Sequence, residues 1–205
     1  MAADPILLVL GAGGHGRVVA DAALAQGRWA RVRVTDRDAA RVGEESLPGL
    51  RVEAMAQALA GSTEVHVAIG AAASRQREAQ ACGLPLATVV HPQASVSPFA
   101  ALGEGTFVAA RAVVAPGARL GSCVIVNHGA VVDHDVQVGD FTHVAPLAAL
   151  GGAVRIGQRV LVGAGASVLP GLRVGDDIVI GAGAVVREHL EAPGTYAGVP
   201  ARRVR

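Results

Sequence analysis

The chain of 205 residues has room for one large domain or two small ones. Its formal net charge of +1, with scattered basic residues, argues against nucleic acid or an anionic membrane as a partner. About half of the residues are apolar but only five are Phe, Trp or Tyr, so the core has to be built from small aliphatic side chains in thin, repeated layers.

The cysteines and the N-terminal sequence indicate the cellular compartment of the protein. Cys82 and Cys123 lie far apart, which does not suggest a disulfide framework and favours a reducing cytoplasm. The N-terminus lacks a basic region followed by a long apolar stretch, so no signal peptide is predicted. The apolar run at 6–10 is too short to span a bilayer and is typical of a buried strand.

The first 91 residues alternate between strand and helix patterns. Strands are predicted over 5–10, 31–35, 65–69 and 87–90, and helices over 17–26, 55–60 and 71–82. This alternation predicts a small Rossmann-like α/β domain over residues 1–91.

A glycine-rich turn follows the first predicted strand. Gly11, Gly13 and Gly16 fit the pattern G-x-G-x-x-G between a strand and a helix, and Asp36 lies 20 residues after Gly16. Bare backbone in such a turn can approach phosphates, and the N-terminus of the following helix favours their charge. Because only about half of a dinucleotide-binding fold fits before residue 92, we predict a site for a nucleotide-sugar diphosphate rather than for a dehydrogenase cofactor.

From residue 92 onward the sequence has a period of six. Every sixth residue is Val, Leu or Ile, at 96, 102, 108, 114, 120, 126, 132, 138, 144, 150, 156, 162, 168, 174, 180 and 186. A hexad suits a short flat strand plus a corner, and three hexads make one triangular coil of 18 residues with the aliphatic side chains inside. We therefore predict a left-handed parallel β-helix in a second domain over residues 92–205, ending in an extended tail.

Several motifs together resemble one group of the bacterial hexapeptide-repeat acyltransferases. Besides the hexads, they are Gly-Ala-Gly-Gly-His-Gly at 11–16, Ala-Ile-Gly at 68–70, Val-Val-Asp-His-Asp at 131–135, Phe-Thr-His-Val at 141–144 and Gly-Val-Pro-Ala at 198–201. Over nearly its whole length the chain is similar to sugar acetyltransferases of the UDP-4-amino-sugar N-acetyltransferase and sialic acid O-acetyltransferase type. The resemblance implies a homotrimer, with acetyl-CoA between adjacent β-helices and a nucleotide-linked amino sugar on the N-terminal domain.

One histidine is the candidate for acid–base chemistry. In the hexad frame His134 lies at a corner, and Gly152 stacks above it 18 residues later, which leaves a gap where an acyl thioester could enter. Direct acyl transfer needs a base that works near neutral pH, and Asp133 and Asp135 flank His134. The resemblance favours His134 as the base and Asp135 as its support, although the family often has Glu at the latter place.

The resemblance also implies roles for further residues. His143 aligns with a residue near the thioester, whereas His128 has no matched role and is predicted to be structural. The expected acetyl-CoA site comprises His143, Gly152, Ala164, Gly181, Ala182 and Pro200. The expected nucleotide-sugar site comprises Gly13, Gly14 and His15 at the pyrophosphate and sugar, Asp36 at the nucleoside, and Gly70 and Arg75.

The leading hypothesis is an enzyme that moves an acetyl group from acetyl-CoA to an amino group of a nucleotide-linked sugar, without a metal. One alternative is O-acetylation of a sugar, and whether the nucleotide is UDP or GDP stays open. A second is a zinc-dependent hydratase, although the spacing of His128, His134 and His143 does not obviously bring three rings together. A third is a non-catalytic sugar-nucleotide binder, which would release no thiol from acetyl-CoA.

Overall fold

The computed structural model describes residues 4–204, and the chain packs as two compact units that divide after Pro92. The first unit begins with β1 and alternates helices and strands. Its elements are β1 (Ile6–Leu10), α1 (Gly14–Gln26), β2 (Arg31–Thr35), the 3-10 turn Ala39–Arg41, β3 (Glu45–Leu47), β4 (Leu50–Glu53), α2 (Met55–Ala60), β5 (Glu64–Val67), α3 (Ala72–Ala81) and β6 (Val89–Val90).

The sheet of the first unit runs β3-β4-β2-β1-β5, and its strands are parallel except for the β3–β4 hairpin. The interior strand β1 is almost wholly buried from Leu7 to Leu10, as expected for a parallel strand covered on both faces. The predicted α/β class of this unit is confirmed. The carboxyl ends of β2, β1 and β5 lie side by side, and open α/β sheets bind their ligands at this edge.

Several details of the first unit differ from the sequence-based prediction, among them β6, which begins at Val89, two residues late. Helix α1 begins at Gly14, three residues early, because the N–H of Arg17 already donates to the carbonyl of Gly13 at 3.1 Å. Strand β5 ends at Val67, two residues early. The β3–β4 hairpin was not predicted, since strands of three and four residues are too short to establish an alternating pattern.

The second unit is the predicted β-helix, and its short strands follow the hexad register. They are β7 (Ser95–Val96), β8 (Ala101–Leu102), β9 (Phe107–Val108), β10 (Val113–Val114), β11 (Arg119–Leu120), β12 (Ile125–Val126), β13 (Val131–Val132), β14 (Gln137–Val138), β15 (His143–Val144), β16 (Ala149–Leu150), β17 (Arg155–Ile156), β18 (Leu161–Val162), β19 (Ser167–Val168), β20 (Arg173–Val174), β21 (Ile178–Ile180) and β22 (Val185–Val186).

These strands form the three faces of a prism. Face 1 holds β7, β10, β13, β16, β19 and β22, face 2 holds β8, β11, β14, β17 and β20, and face 3 holds β9, β12, β15, β18 and β21. Each strand pairs in parallel with the strand 18 residues later, as Val114 does with Val132. The chain passes from face 1 to face 2 over an edge called here edge 1–2, then over edge 2–3 and edge 3–1.

The aliphatic residue of each hexad points into the prism. From Val108 to Val186 these side chains are at most 5 % exposed. The residue four positions later also lies inside, as Ala112, Ala118 and Ala130 do. Each buried Val, Leu or Ile contributes about 1.5–3 kcal/mol through loss of apolar surface to water, so the stacked interior stabilises the coils.

The tail after Val186 leaves the hexad register, as predicted. It forms β23 (Gly194–Ala197), which pairs in parallel with β21, and β24 (Arg202–Arg203), which pairs antiparallel with β23. Across residues 4–204, none of the helices is both long enough and apolar enough to cross a membrane.

Candidate active site

His134 lies on edge 1–2, in the turn after β13. Its backbone N–H donates to Oδ1 of Asp133 at 2.7 Å, and its carbonyl accepts the N–H of Ala153 from the coil above at 2.9 Å. The next residue, Asp135, donates its N–H to the carbonyl of Pro116 on the coil below at 3.1 Å. The backbone that carries the imidazole is thus fixed by both neighbouring coils, while the side chain itself is exposed.

The imidazole of His134 is oriented by Asp135. Nδ1 lies 2.9 Å from Oδ2 of that carboxylate, and because a carboxylate only accepts hydrogen bonds, Nδ1 carries the proton of the neutral ring. The lone pair of Nε2 is therefore free to take a proton. The hydrogen bond to Asp135 raises the pKa of His134 above its ordinary value, and the negative charge of Asp133 raises it further.

Gly152 lies directly against this imidazole. A Cβ atom built on Gly152 would stand 2.6 Å from Cε1 of His134 and closer still to Nε2. Any side chain at position 152 would therefore displace the ring. Glycine at this position leaves backbone next to Nε2, on the coil immediately above it.

His143 and His128 lie elsewhere on the prism. His143 is on β15 of face 3, which is opposite edge 1–2, and its Nε2 accepts a hydrogen bond from Nδ2 of Asn127 at 3.1 Å. The N–H of His128, on edge 3–1, donates to Oδ1 of Asn127 at 2.8 Å. Within one chain, His134 and His143 are therefore not brought together.

Apart from Gly152, the small residues of the expected acetyl-CoA site lie on edge 3–1. Ala164 and Ala182 are exposed in the turns that follow β18 and β21. A Cβ atom on Gly181 would stand 3.1 Å from the Cβ atom of Ala197 in β23, so a larger residue there would crowd the tail. Pro200 lies in the tail between β23 and β24 and is partly exposed.

The glycine turn of the first unit contains two kinds of glycine. A Cβ atom on Gly16 would overlap the carbonyl oxygen of Gly11, so this position is needed for packing. Gly13 and Gly14 are exposed, with no atom within 4 Å of an added Cβ, at the N-terminus of the 13-residue helix α1. Their backbone is open to a ligand, and the helix end favours negative charge. His15 follows in the first turn of α1 and is partly buried.

Asp36 holds the glycine turn in place. Its Oδ2 accepts the N–H of Ala12 at 2.7 Å, and its Oδ1 accepts the N–H of Asp38 at 3.0 Å. Partial burial raises the pKa of Asp36, but the hydrogen bonds from Ala12 and Asp38 and the charge of Arg41 outweigh it, and the net pKa is lowered. The carboxylate is thus kept ionised beside the turn.

Arg75 is inside the first unit, not on its surface. It is 1 % exposed, and Nη1 donates to the carbonyls of Ile69 at 2.7 Å and Gly70 at 2.8 Å. The guanidinium therefore fixes the segment after β5, and any effect on a ligand passes through the backbone of Gly70. Sequence reasoning could not distinguish this buried arginine from an exposed one, since it occupies a polar helix.

A cleft of about 360 Å³ lies at the carboxyl ends of β1, β2 and β5. We call it the sheet-edge cleft, and its lining residues are Leu10, Gly11, Asp36, Arg37, Ile69, Ser74, Arg77 and Glu78. The sequence analysis did not single out four of them, Arg37, Ser74, Arg77 and Glu78, because charged residues on a helix are usually solvated. A larger cleft of about 680 Å³, beside the beginnings of β2 and β4, contains none of the expected site residues.

Comparisons with known proteins agree with this architecture. Residues 6–81 match the family described as PglD N-terminal domain, and residues 153–188 match that described as hexapeptide repeat of succinyl-transferase. A comparison with curated protein sequences gave no significant match.

Two solved structures are similar over nearly the whole chain. The acetyltransferase domain of PglB from Neisseria gonorrhoeae is 37% identical, with a TM-score of 0.90, and the match covers 98% of this chain and 100% of that one. The same domain has also been determined in complex with acetyl coenzyme A. PerB from Caulobacter crescentus, in complex with CoA and GDP-perosamine, is 36% identical, with a TM-score of 0.88, and the match covers 98% of each chain.

A Rossmann-like unit joined to a hexad β-helix with a histidine at its corner defines the class of hexapeptide-repeat acyltransferases. Within that class, the chain belongs to the family of sugar acetyltransferases that carry a PglD-type N-terminal domain. The predicted enzyme type, an acetyltransferase, is therefore confirmed, and acetyl-CoA is the acyl donor of this type.

Proposed function

We propose that the enzyme transfers the acetyl group of acetyl-CoA to the amino group of a nucleotide-linked amino sugar, with His134 as the general base. The observation that carries this proposal is the contact of Nδ1 with Asp135, which leaves Nε2 beside the bare backbone of Gly152. Support for an amino-sugar acceptor comes from the similar perosamine N-acetyltransferase of Caulobacter crescentus, determined with GDP-perosamine.

The residues of edge 1–2 supply the proton chemistry of a direct transfer. Nε2 of His134 accepts a proton from the attacking amine as the new C–N bond forms at the thioester carbon. Asp135 stabilises the imidazolium that results. The C–S bond then breaks, and the thiolate of CoA takes up the proton from His134, so no covalent enzyme intermediate is needed. The N–H of Gly152 would donate to the oxyanion of the tetrahedral intermediate.

The first unit would bind the nucleotide part of the acceptor. The exposed backbone of Gly13 and Gly14, with His15, would hold the diphosphate at the N-terminus of α1. Gly70 would contact the ligand at the end of β5, and Arg75 would position it through its two bonds to that segment. Asp36, expected from the sequence at the nucleoside, lines the neighbouring cleft and would act there by holding the glycine turn.

We further propose that the active enzyme is a homotrimer in the cytoplasm. His134 and Gly152 lie on edge 1–2, whereas His143 is on the opposite face and Ala164 and Ala182 are on edge 3–1. One chain cannot present all of these residues to a single thioester. Packing edge 1–2 of one copy against another copy's edge 3–1 would complete an acetyl-CoA site, with Gly181 and Pro200 further along the same groove.

The test is acetyl transfer measured as free thiol with a panel of UDP- and GDP-linked amino sugars. Thiol release should require both substrates, and His134→Ala should lower turnover at least about a hundredfold while circular dichroism shows the fold retained. Release only with hydroxyl acceptors would point to O-acetylation instead. Binding of an acceptor without any thiol release would contradict the proposal.

A further inference from the structure

The sheet-edge cleft contains two carboxylates that differ in how many further hydrogen bonds they can accept. Asp36 accepts hydrogen bonds from the N–H groups of Ala12 and Asp38 and from Nη1 of Arg41 at 3.4 Å. An ionised carboxylate has about four lone-pair sites, and these three donors occupy most of them. The acidic residue that the glycine-turn pattern assigns to a nucleoside is thus already used by the protein.

Glu78 is the other carboxylate of the cleft, and one of its oxygens is available. It lies on α3, with a side chain only 17 % exposed, and Oε2 accepts both Nε of Arg37 at 2.9 Å and Nη2 at 2.6 Å. In the described part of the chain, no hydrogen bond to Oε1 is formed. Because α3 follows β5 and Arg37 follows β2, the ion pair spans the cleft above the end of β1 and holds this oxygen in place.

The donors that a nucleoside diphosphate always carries, whatever its base, are the hydroxyl groups of its ribose. An ionised oxygen in a partly buried cleft is a strong acceptor for a hydroxyl group. We propose that Oε1 of Glu78 accepts a ribose hydroxyl of the bound nucleotide, that Arg37 orients this carboxylate, and that Asp36 acts only on the glycine turn. This inference rests on the proposed function, since it assumes that the cleft binds the nucleotide of the acceptor.

The test compares nucleotides with and without the ribose hydroxyls, bound to the full-length wild type and to the full-length variant Glu78→Met. Binding of UDP, GDP and their 2′,3′-dideoxy analogues is measured by titration calorimetry. The wild type should bind the better of the two ribonucleotides at least about tenfold more tightly than its dideoxy analogue, as expected for a hydrogen bond to a charged group. Glu78→Met, which keeps length and helix propensity but removes the acceptor, should bind both forms equally.

Arg37→Met is the matched control, because it removes the orienting cation and leaves the acceptor. It should keep a preference for the ribonucleotide, smaller than that of the wild type. Equal binding of the two forms by the wild type, or complete loss of preference in Arg37→Met, would overturn the assignment of the contact to Glu78. A wild type that binds neither UDP nor GDP would instead contradict the nucleotide site of the proposed function. An unchanged circular dichroism spectrum and an unchanged midpoint of urea unfolding for Glu78→Met confirm that this variant folds.

Discussion

Asp135 has a backbone conformation that bears on its chemistry. Its φ of 58° lies in the left-handed region, as at the equivalent position of several other hexads. Asp and Asn tolerate this region better than longer side chains do, because a short polar side chain can bond locally. An aspartate at this place, where the family often has glutamate, therefore suits the turn and still reaches Nδ1 of His134.

The raised pKa of His134 predicts an acid limb in the pH dependence of the reaction. The base must be deprotonated, so kcat/KM rises with pH until it passes the pKa of His134. Asp135→Asn removes the largest cause of the raised pKa, and the limb should move to lower pH while the maximum falls about tenfold or more. The measurement is kcat/KM from pH 5 to pH 9. An unmoved limb would mean that another group titrates there.

Gly152→Ala tests the contact with the imidazole. The added Cβ would collide with Cε1 and Nε2 of His134, so turnover should fall at least about a hundredfold. Gly171→Ala is the matched control one coil above. It has open space around the new Cβ but a φ of 74°, so it should cost about 1 kcal/mol in unfolding free energy and keep its turnover. Equal turnover in both variants would show that the ring tolerates the collision.

At the scale of elements, β5 and the segment after α3 are joined by a buried histidine. His66 is 1 % exposed, and Nδ1 donates to the carbonyl of Ala87 at 2.8 Å. Val65 pairs there as well, accepting the N–H of Ala87. Burial lowers the pKa of His66 to about 4, the hydrogen bond to Ala87 opposes this shift, and the charge of Arg75 adds to it.

This histidine predicts acid sensitivity of the first unit. The folded pKa of about 4 lies below the ordinary value of 6.5, so the unfolded chain binds the proton first as pH falls. Stability is fully present above about pH 6.5 and declines toward pH 4 by up to about 3 kcal/mol. Urea unfolding at several pH values measures this decline. His66→Gln should flatten it over this interval, and an unaltered slope in that variant would contradict the assignment.

At the scale of the whole molecule, the distribution of site residues over opposite edges of the prism predicts sharing between copies. His134→Ala and His143→Ala should each be poorly active alone. Across all trimers formed by random assembly of equal amounts, roughly a quarter of the sites would combine an intact His134 from one copy with an intact His143 from the next. Refolding the two variants together should restore about a quarter of the wild-type activity. Light scattering should give a molecular mass equal to that of three chains.

Activity no greater than the sum of the separate variants would contradict a shared site. Wild-type protein carried through the same refolding is the control for recovery. A single chain mass in solution, with full turnover, would contradict the trimer itself.

Much of the architecture could be predicted from the sequence because its patterns are local and repeated. The hexads place Val114, Leu120 and Val126 inside three successive faces, and the structure confirms this register. The apolar run of β1 and the glycine turn likewise mark a parallel sheet edge. The β3–β4 hairpin was missed, since its short strands depend on pairing with β2 rather than on a pattern of their own.

The sequence by itself determined the β-helix and the stacking of position 152 over position 134, because both follow from a fixed period along the chain. It also determined the family resemblance, because short motifs in both domains carry it. Only the tertiary structure decided which charged residues are available to a ligand. Arg75 is buried against backbone carbonyls, Asp36 already accepts three hydrogen bonds from the protein, and Glu78 keeps one oxygen available in the cleft. The physical reason is that burial and hydrogen-bond saturation depend on neighbours brought together from distant parts of the chain, which no local pattern specifies.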